Sequence, residues 1–250
     1  MRDTTSLLKR LQFTERISTM KKSRWNLLGA GCGIVDVLLS LIALLIVPLP
    51  PVVGSSVKEV LSYYTSNGPT LVLSNYLFML ATVFFLGFFG YVCVVLRSAE
   101  GEPYALSRIV FGAAVAAASI FLVSPLISQA LVARAATGAE SVVVGVLSDM
   151  TALSLIASGI PVILLVGLAS VVMLRTRLLP RWLGLLGLLL VVLLLLASAG
   201  LFLPSGLLAA GGIFTTFVFA CFLLCELTLS IVLVTRVLAT KRTETASGVA

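Results

Sequence analysis

The sequence predicts an all-α, polytopic membrane protein: a bundle of six transmembrane helices with one short interfacial helix on the external side. Three observations carry this expectation. Of the 250 residues, 60% are hydrophobic and only 11% are charged, whereas soluble domains carry about 25% charged residues. The mean hydropathy is +1.17, and apolar residues run all round each stretch, as they do where the solvent is lipid. Six apolar runs each reach about 20 residues, enough to cross about 30 Å of hydrocarbon at about 1.5 Å per residue.

Taken in order, the runs cover about 25–49, 70–96, 107–132, 151–174, 182–203 and 212–235. The first is too long for a cleaved signal peptide and no Ala-x-Ala site follows it, so a permanent anchor is expected. The chain thus divides into a basic N-terminal segment (1–24), a transmembrane domain (25–236) and a tail (237–250). Within 1–24, Leu7, Leu8 and Leu11 point one way on a helical wheel, while Phe13, Ile17 and Met20 point roughly opposite. A basic, partly ordered tail held by anionic lipid is expected there, not an amphipathic helix.

Orientation follows from basic residues near the span ends. One side carries fifteen: Arg2, Lys9, Arg10, Arg16, Lys21, Lys22, Arg24, Arg97, Arg108, Arg175, Arg177, Arg181, Arg236, Lys241 and Arg242. The other carries two, Lys58 and Arg134. Both termini are therefore expected in the cytoplasm, in a multi-pass protein of the cell membrane. Trp25 and Trp182 sit where belt residues belong. The expected partners are the bilayer and its anionic headgroups at the cytoplasmic face. Nucleic acid is not expected despite a net charge of +7, because the basic residues are not interleaved with aromatics.

Other chemistry is narrowed by what is missing. Cys32, Cys93, Cys221 and Cys225 all lie in apolar runs and form no CxxC, which argues against a disulfide framework. The chain has no histidine, so Ser–His and Cys–His catalysis and His-ligated zinc or haem fall away. No metal and no cofactor is expected, and enzymatic activity is not expected.

Between the first two spans, Ser56, Val57, Lys58 and Glu59 form a capping box, with Ser56 as N-cap. Val57, Val60, Leu61 and Tyr64 keep helical spacing, and Asn67, Gly68 and Pro69 stop the helix. This is the external interfacial helix, a lid over span ends or a gate. Small residues let spans approach closely. Gly29 and Gly33 in span one, and Gly112 and Ala116 in span three, make those spans candidates for the bundle centre. Leu-rich span five is expected to face lipid. Asp149, with Ser148, is expected to cap span four.

Spans three and four contain Pro125 and Pro161. Each frees a backbone carbonyl that hydroxyls can satisfy. Ser124 and Ser128 flank the first proline, and Ser154 and Ser158 precede the second on one face. These four serines either repair two kinks locally or line a polar cavity open to the outside.

Asp36 and Glu226 are the only charged side chains deep in the spans. A charge at mid-bilayer costs about 2.5 to 3.5 kcal/mol even on the insertion scale. Counted from Trp25 and from Arg236, both lie about 15 Å from the cytoplasmic boundary. They are the ion-linked candidates: each protonated and bonded to its own neighbour, or sharing one proton, or holding a cation. A soft-metal site with Cys221 and Cys225 is a weaker alternative without histidine.

After span four the chain reads Arg175-Thr-Arg-Leu-Leu-Pro180-Arg181-Trp182-Leu-Gly184, and after span two Leu96-Arg-Ser-Ala-Glu100-Gly-Glu102, with Leu106-Ser-Arg108 opening span three. These stretches resemble a group of six-span bacterial membrane proteins, the domain-of-unknown-function family 4386, as do the chain length and span count. The match covers about forty residues and transfers no activity and no functional residue. The loop also has a plain physical reading: Pro180 opens span five, the arginines hold the headgroups and Trp182 anchors the interface.

Three functions follow in order of what they require. A non-enzymatic structural or regulatory membrane protein requires nothing more. A small transporter or proton- or cation-coupled carrier requires a cavity reaching Asp36 or Glu226. An intramembrane enzyme requires a substrate-sized pocket beside the carboxyls and a base that the sequence does not supply.

Overall fold

The computed structural model describes the backbone of residues 3–137, 141–202 and 212–247, and the side chains of 24–137, 142–202 and 212–240. Among these residues all regular structure is helical: α1 (Asp3–Leu45), α2 (Val57–Ser66), α3 (Gly68–Glu100), α4 (Ala105–Ala136), α5 (Ser141–Ala157), α6 (Gly159–Thr176), α7 (Arg181–Ser198) and α8 (Ile213–Ser247), with a short 3-10 turn at Ala199–Leu201. Six segments are long and apolar enough to cross a membrane: Arg24–Leu45, Gly68–Glu100, Ala105–Ala136, Val142–Thr176, Arg181–Leu201 and Ile213–Thr240. The chain is a multi-pass membrane protein. Below, the face that carries the chain ends is the terminal face, and the face that carries α2 is the far face.

The spans form a closed ring in chain order. α1 packs on α3, α3 on α4, α4 on α6, α6 on α7 and α7 on α8, and α8 returns to α1. α3 also touches α6 across the ring. Lipid gives no hydrophobic drive between helices, so close packing has to hold them together. At Gly29 an added Cβ would come 2.7 Å from Tyr91 Cβ, and at Gly33 it would come 2.8 Å from the Phe88 ring. Those two glycines let α1 lie directly against α3. Gly184 and Gly187 do the same for α7 against Leu174 and Ser170 of α6, while Leu185, Leu189 and Leu195 on the other side of α7 are exposed, the lipid-facing surface expected of span five.

Several expectations are corrected. α1 and α4 do not form the centre, because α3 lies between them. Gly112 and Ala116 are exposed, and the small face that packs inward is Ala113, Ala114, Ala117 and Ala118. That helix is small on every side, so the outward pair mimics a contact face. The segment expected as a partly ordered tail is helical from Asp3 and continuous with span one. Span four begins at Val142 rather than near 151. Asp149 therefore lies inside α5 and is not an N-cap. Its Oδ1 accepts a hydrogen bond from the Gly54 amide at 3.2 Å, which ties the far-face loop to α5.

The interfacial helix matches its sequence. Ser56 Oγ accepts from the Glu59 amide at 3.3 Å, and α2 ends at Asn67 before Pro69 opens α3. Val60 and Tyr64 bury their side chains among Leu71, Leu131, Ala135 and Val144. On the terminal face, Glu100 caps α4 by accepting from the amides of Leu106 at 2.8 Å and Ser107 at 2.9 Å. Arg97 stacks on the Tyr104 ring, 4.6 Å from its centre. Pro180 stands as the N-cap of α7, one residue before its first turn. Arg236 donates to the Leu178 carbonyl, which joins α8 to the loop before α7.

Candidate functional site

The α1–α8 seam is set by one buried bond, from Ser230 Oγ to the Ala30 carbonyl. The helices run antiparallel. Six residues farther along α1 stands Asp36, and four residues back along α8 stands Glu226. The two carboxyls accordingly come within hydrogen-bonding reach of each other. They are 4% and 3% exposed. Ser40 Oγ donates to Asp36 Oδ1 at 3.4 Å. Both oxygens of Glu226 are buried and receive no donor from the described residues. These facts fit together in one way: carboxylates only accept, so a bond between two of them needs a proton carried by one. The equal depth counted from the sequence is thus matched by an equal facing. Among the described residues, no group of three His, Cys, Asp or Glu side chains is gathered as a metal site.

Asp36 also forms part of a cavity of about 220 Å³ inside the far half of the ring. Phe85, Phe222 and Leu223 line its inner end beside Asp36, and Pro48, Pro50, Tyr63 and Tyr64 line it at the far face. Glu226 is not among the lining residues; it sits behind Asp36. Tyr63 donates its hydroxyl to the Pro48 carbonyl at 2.8 Å, fastening α2 across the mouth. Burial pushes the Tyr63 phenol above its ordinary range, so it stays a neutral donor at physiological pH.

The four serines named from the sequence divide. Ser124 and Ser128 line this cavity and Ser154 does not. Ser158 lines a smaller neighbouring hollow of about 50 Å³, which shares Phe121, Phe219 and Phe222 with the first. The expected local repair at the prolines is not what the hydroxyls do. Ser124 and Ser154 both donate to the Thr151 carbonyl, at 3.2 and 2.9 Å, and Ser158 donates to Leu155. Ser128 accepts from Asn75 Nδ2 at 3.1 Å. The first proline is carried within an unbroken α4, whereas span four divides into α5 and α6 at Ser158, where the bonds from Ser158 to Ser154 at 3.0 Å and from Val162 to Ser158 at 3.3 Å keep the helical path.

Sequence reasoning missed Asn75, Thr82 and Thr215, all buried polar residues lining the cavity. Asn75 had a usable signal: an amide inside an apolar span faces protein or water, not lipid. Thr82 and Thr215 had none, since a threonine can bond its own helix anywhere in a span.

Comparison of the chain with family models, with curated proteins and with solved structures finds no match.

Proposed function

We propose that this chain is a proton-linked carrier of the cell membrane, which loads a small solute from the external side into the cavity above Asp36. One observation carries the reading. A buried carboxyl lies at mid-membrane depth on the wall of a cavity that leads to the far face, and behind it stands a second carboxyl with no other partner. The excess of basic residues on the terminal face supports a cavity mouth on the outside and both termini in the cytoplasm. The resemblance to the six-span bacterial family adds a bacterial plasma membrane to the proposal.

In this reading Asp36 and Glu226 share one proton while the cavity is empty. A bound solute draws on Asp36, and the proton leaves through the cavity water. Two negative charges this close cannot both persist in a dry site, so the proton leaves only while the bound solute stabilises the Asp36 carboxylate, and the two are coupled. Pro161 has no N–H to give, so span four carries one helical bond fewer just beyond Ser158, which lowers the cost of tilting its outer part.

The structural or regulatory reading has no use for the cavity, and close-packed interiors hold few voids larger than a water. The enzyme reading gains a pocket beside a carboxyl. It still lacks the second group, because acid–base work by a carboxyl pair needs both at the substrate, and Glu226 does not reach the cavity.

The test is uptake by the purified full chain in proteoliposomes under an imposed pH gradient, with a panel of small cationic, neutral and anionic solutes. At least one solute accumulates with the wild type, and none with Asp36→Asn. If no solute accumulates with the wild type, or if Asp36→Asn is as active, the carrier reading falls.

A further inference from the structure

The cavity wall has a chemical polarity of its own. Most of its hydroxyls commit their protons to backbone carbonyls, among them Ser74 to Ala43 at 2.9 Å, Thr82 to Phe78 at 2.9 Å, Ser124 to Thr151 at 3.2 Å and Thr216 to Gly212 at 3.3 Å, while Ser40 donates to Asp36. Both recorded bonds of the Asn75 amide nitrogen are likewise donated to protein, to Ser128 and Gln129. What these groups turn to a ligand is lone pairs. Around them stand the rings of Phe78, Phe85, Phe121, Phe219 and Phe222, whose faces carry negative charge density. Among the described residues Asp36 is the one acidic residue in the wall, and none of them there is Lys or Arg. Thr215 also lines this space, and its Oγ1 is buried with no partner among the described residues.

These features attract positive charge, and of the described lining hydroxyls all but those of Tyr64, Ser128 and Thr215 already donate to a carbonyl or to Asp36. An anionic solute would meet no counter-charge, and a sugar-like solute would find too few donors. An engineered apolar cavity of about 150 Å³ accommodates benzene, so about 220 Å³ takes a ring with a few further methyl-sized groups. Resting on the carrier reading, we infer that the substrate class is a small lipophilic organic cation, bound with Asp36 as counter-ion and the phenylalanine rings as an aromatic cage, and exchanged for the proton that Asp36 shares with Glu226. The exchange balances: one positive charge enters the site and one proton leaves it for water. Aromatic faces recognise quaternary ammonium in this manner.

The groups facing Asp36 are few. Glu226 faces it from α8, and Ser40 and Cys32 lie one turn away on α1. α3 brings Phe85 to the same cavity wall, and its charged residues, Arg97 and Glu100, lie at its terminal end. Among the described residues, the proton is thus exchanged at the carboxyl pair and at no other charged group nearby.

Phenyltrimethylammonium is a suitable probe, because it cannot shed its charge and leak across the bilayer. Its neutral isostere is tert-butylbenzene, and benzenesulfonate is the anionic control. Equilibrium binding to the purified full chain should favour the cation by about tenfold or more over both. Proton release should accompany binding, and the affinity should fall as pH is lowered. Asp36→Asn should erase the preference for the cation while tert-butylbenzene still binds, which shows that the cavity is intact. The preference is read on the wild type alone, so it does not depend on the variant folding. Equal binding of cation and isostere, stronger binding of the sulfonate, or a preference that survives Asp36→Asn overturns the inference. In the vesicle assay, accumulation of a neutral or anionic solute overturns this inference and leaves the carrier reading standing; no accumulation at all overturns both.

Discussion

The terminal half and the far half of the ring are built from the same amino acids on different rules. In the terminal half, Phe88, Val92 and Leu96 of α3 are fully buried together with Val110 and Ala114 of α4 and Leu165 and Val172 of α6. Gly29 and Gly33 bring α1 down onto them. In the far half, the corresponding stretch of α3 carries Ser74, Asn75 and Phe78 and faces a cavity. One wall there is the outer part of span four, with Thr151 and Leu155. In water, apolar surface would close such a space. In lipid, only van der Waals contact and hydrogen bonding favour closure, and a void simply forfeits the contacts its lining would have made. The difference teaches where motion can occur: the terminal half is held by close packing, and the far half, around its cavity, by the small cluster of Val60, Tyr64, Leu71, Leu131, Ala135 and Val144 and by bonds such as Tyr63 to Pro48 and Gly54 to Asp149.

The contrast breaks most directly through two phenylalanines of α3. Phe88→Ala empties a site that is 0% exposed, and truncations of this kind cost about 3 to 5 kcal/mol. Phe78→Ala enlarges a space that already exists. Its loss should be about 0.5 to 1.5 kcal/mol, the worth of one aromatic pair, here the tilted contact with Phe219 at 6.3 Å. Unfolding in mixed micelles measures both. Equal losses would mean that the far half closes around Phe78 in the bilayer, and the two halves would then not differ.

A second pair of variants asks the same of the glycines. At Gly29 the added Cβ would meet Tyr91 Cβ, an atom that cannot move without its backbone. Gly29→Ala should therefore part α1 from α3 and cost about 1 to 3 kcal/mol. Gly112→Ala meets nothing within 4 Å, so it should be neutral or stabilising by up to about 1 kcal/mol through helix propensity. A large loss at Gly112 would point to a second copy of the chain against that face.

These glycines also mark how far the fold was legible in the sequence. The spans were legible because crossing about 30 Å of hydrocarbon demands a length and a composition that nothing else demands. The capping box at Ser56 was legible because it is local. The interior face of α4 was not, since Gly112, Ala113, Ala114, Ala116, Ala117 and Ala118 put small side chains on all sides. The early start of span four was hidden by Asp149, which looks like a cap until its partner, the amide of Gly54 ninety-five residues away, is known. The same limit applies to the site. The equal depth of Asp36 and Glu226 follows from counting along each helix, but their facing depends on the ring closing α8 onto α1, and neither helix encodes that alone. Of the cavity serines, Ser124 and Ser128 could be named from Pro125, while Ser154 and Ser158 follow the same proline logic, fall outside the main cavity and donate to carbonyls of their own span.

The smallest effect separates the halves most finely. Asn75 donates to Ser128 at 3.1 Å across α3 and α4, inside the cavity wall. Interhelical hydrogen bonds in membranes couple by about 0.6 kcal/mol on average and about 1.7 at most, because the separated helices find other partners. A double-mutant cycle of Asn75→Ala and Ser128→Ala should return a value at the low end of that range, because water in an open cavity replaces either partner as soon as it is lost. A value at the upper end would mean that no water reaches the pair. The cavity would then be sealed at the far face by α2, and loading from that side would require Tyr63 to leave the Pro48 carbonyl first. Tyr63→Phe, which removes that bond and keeps the ring, should then bring the coupling back down if the bond is the seal, and should leave it unchanged if the mouth is already open.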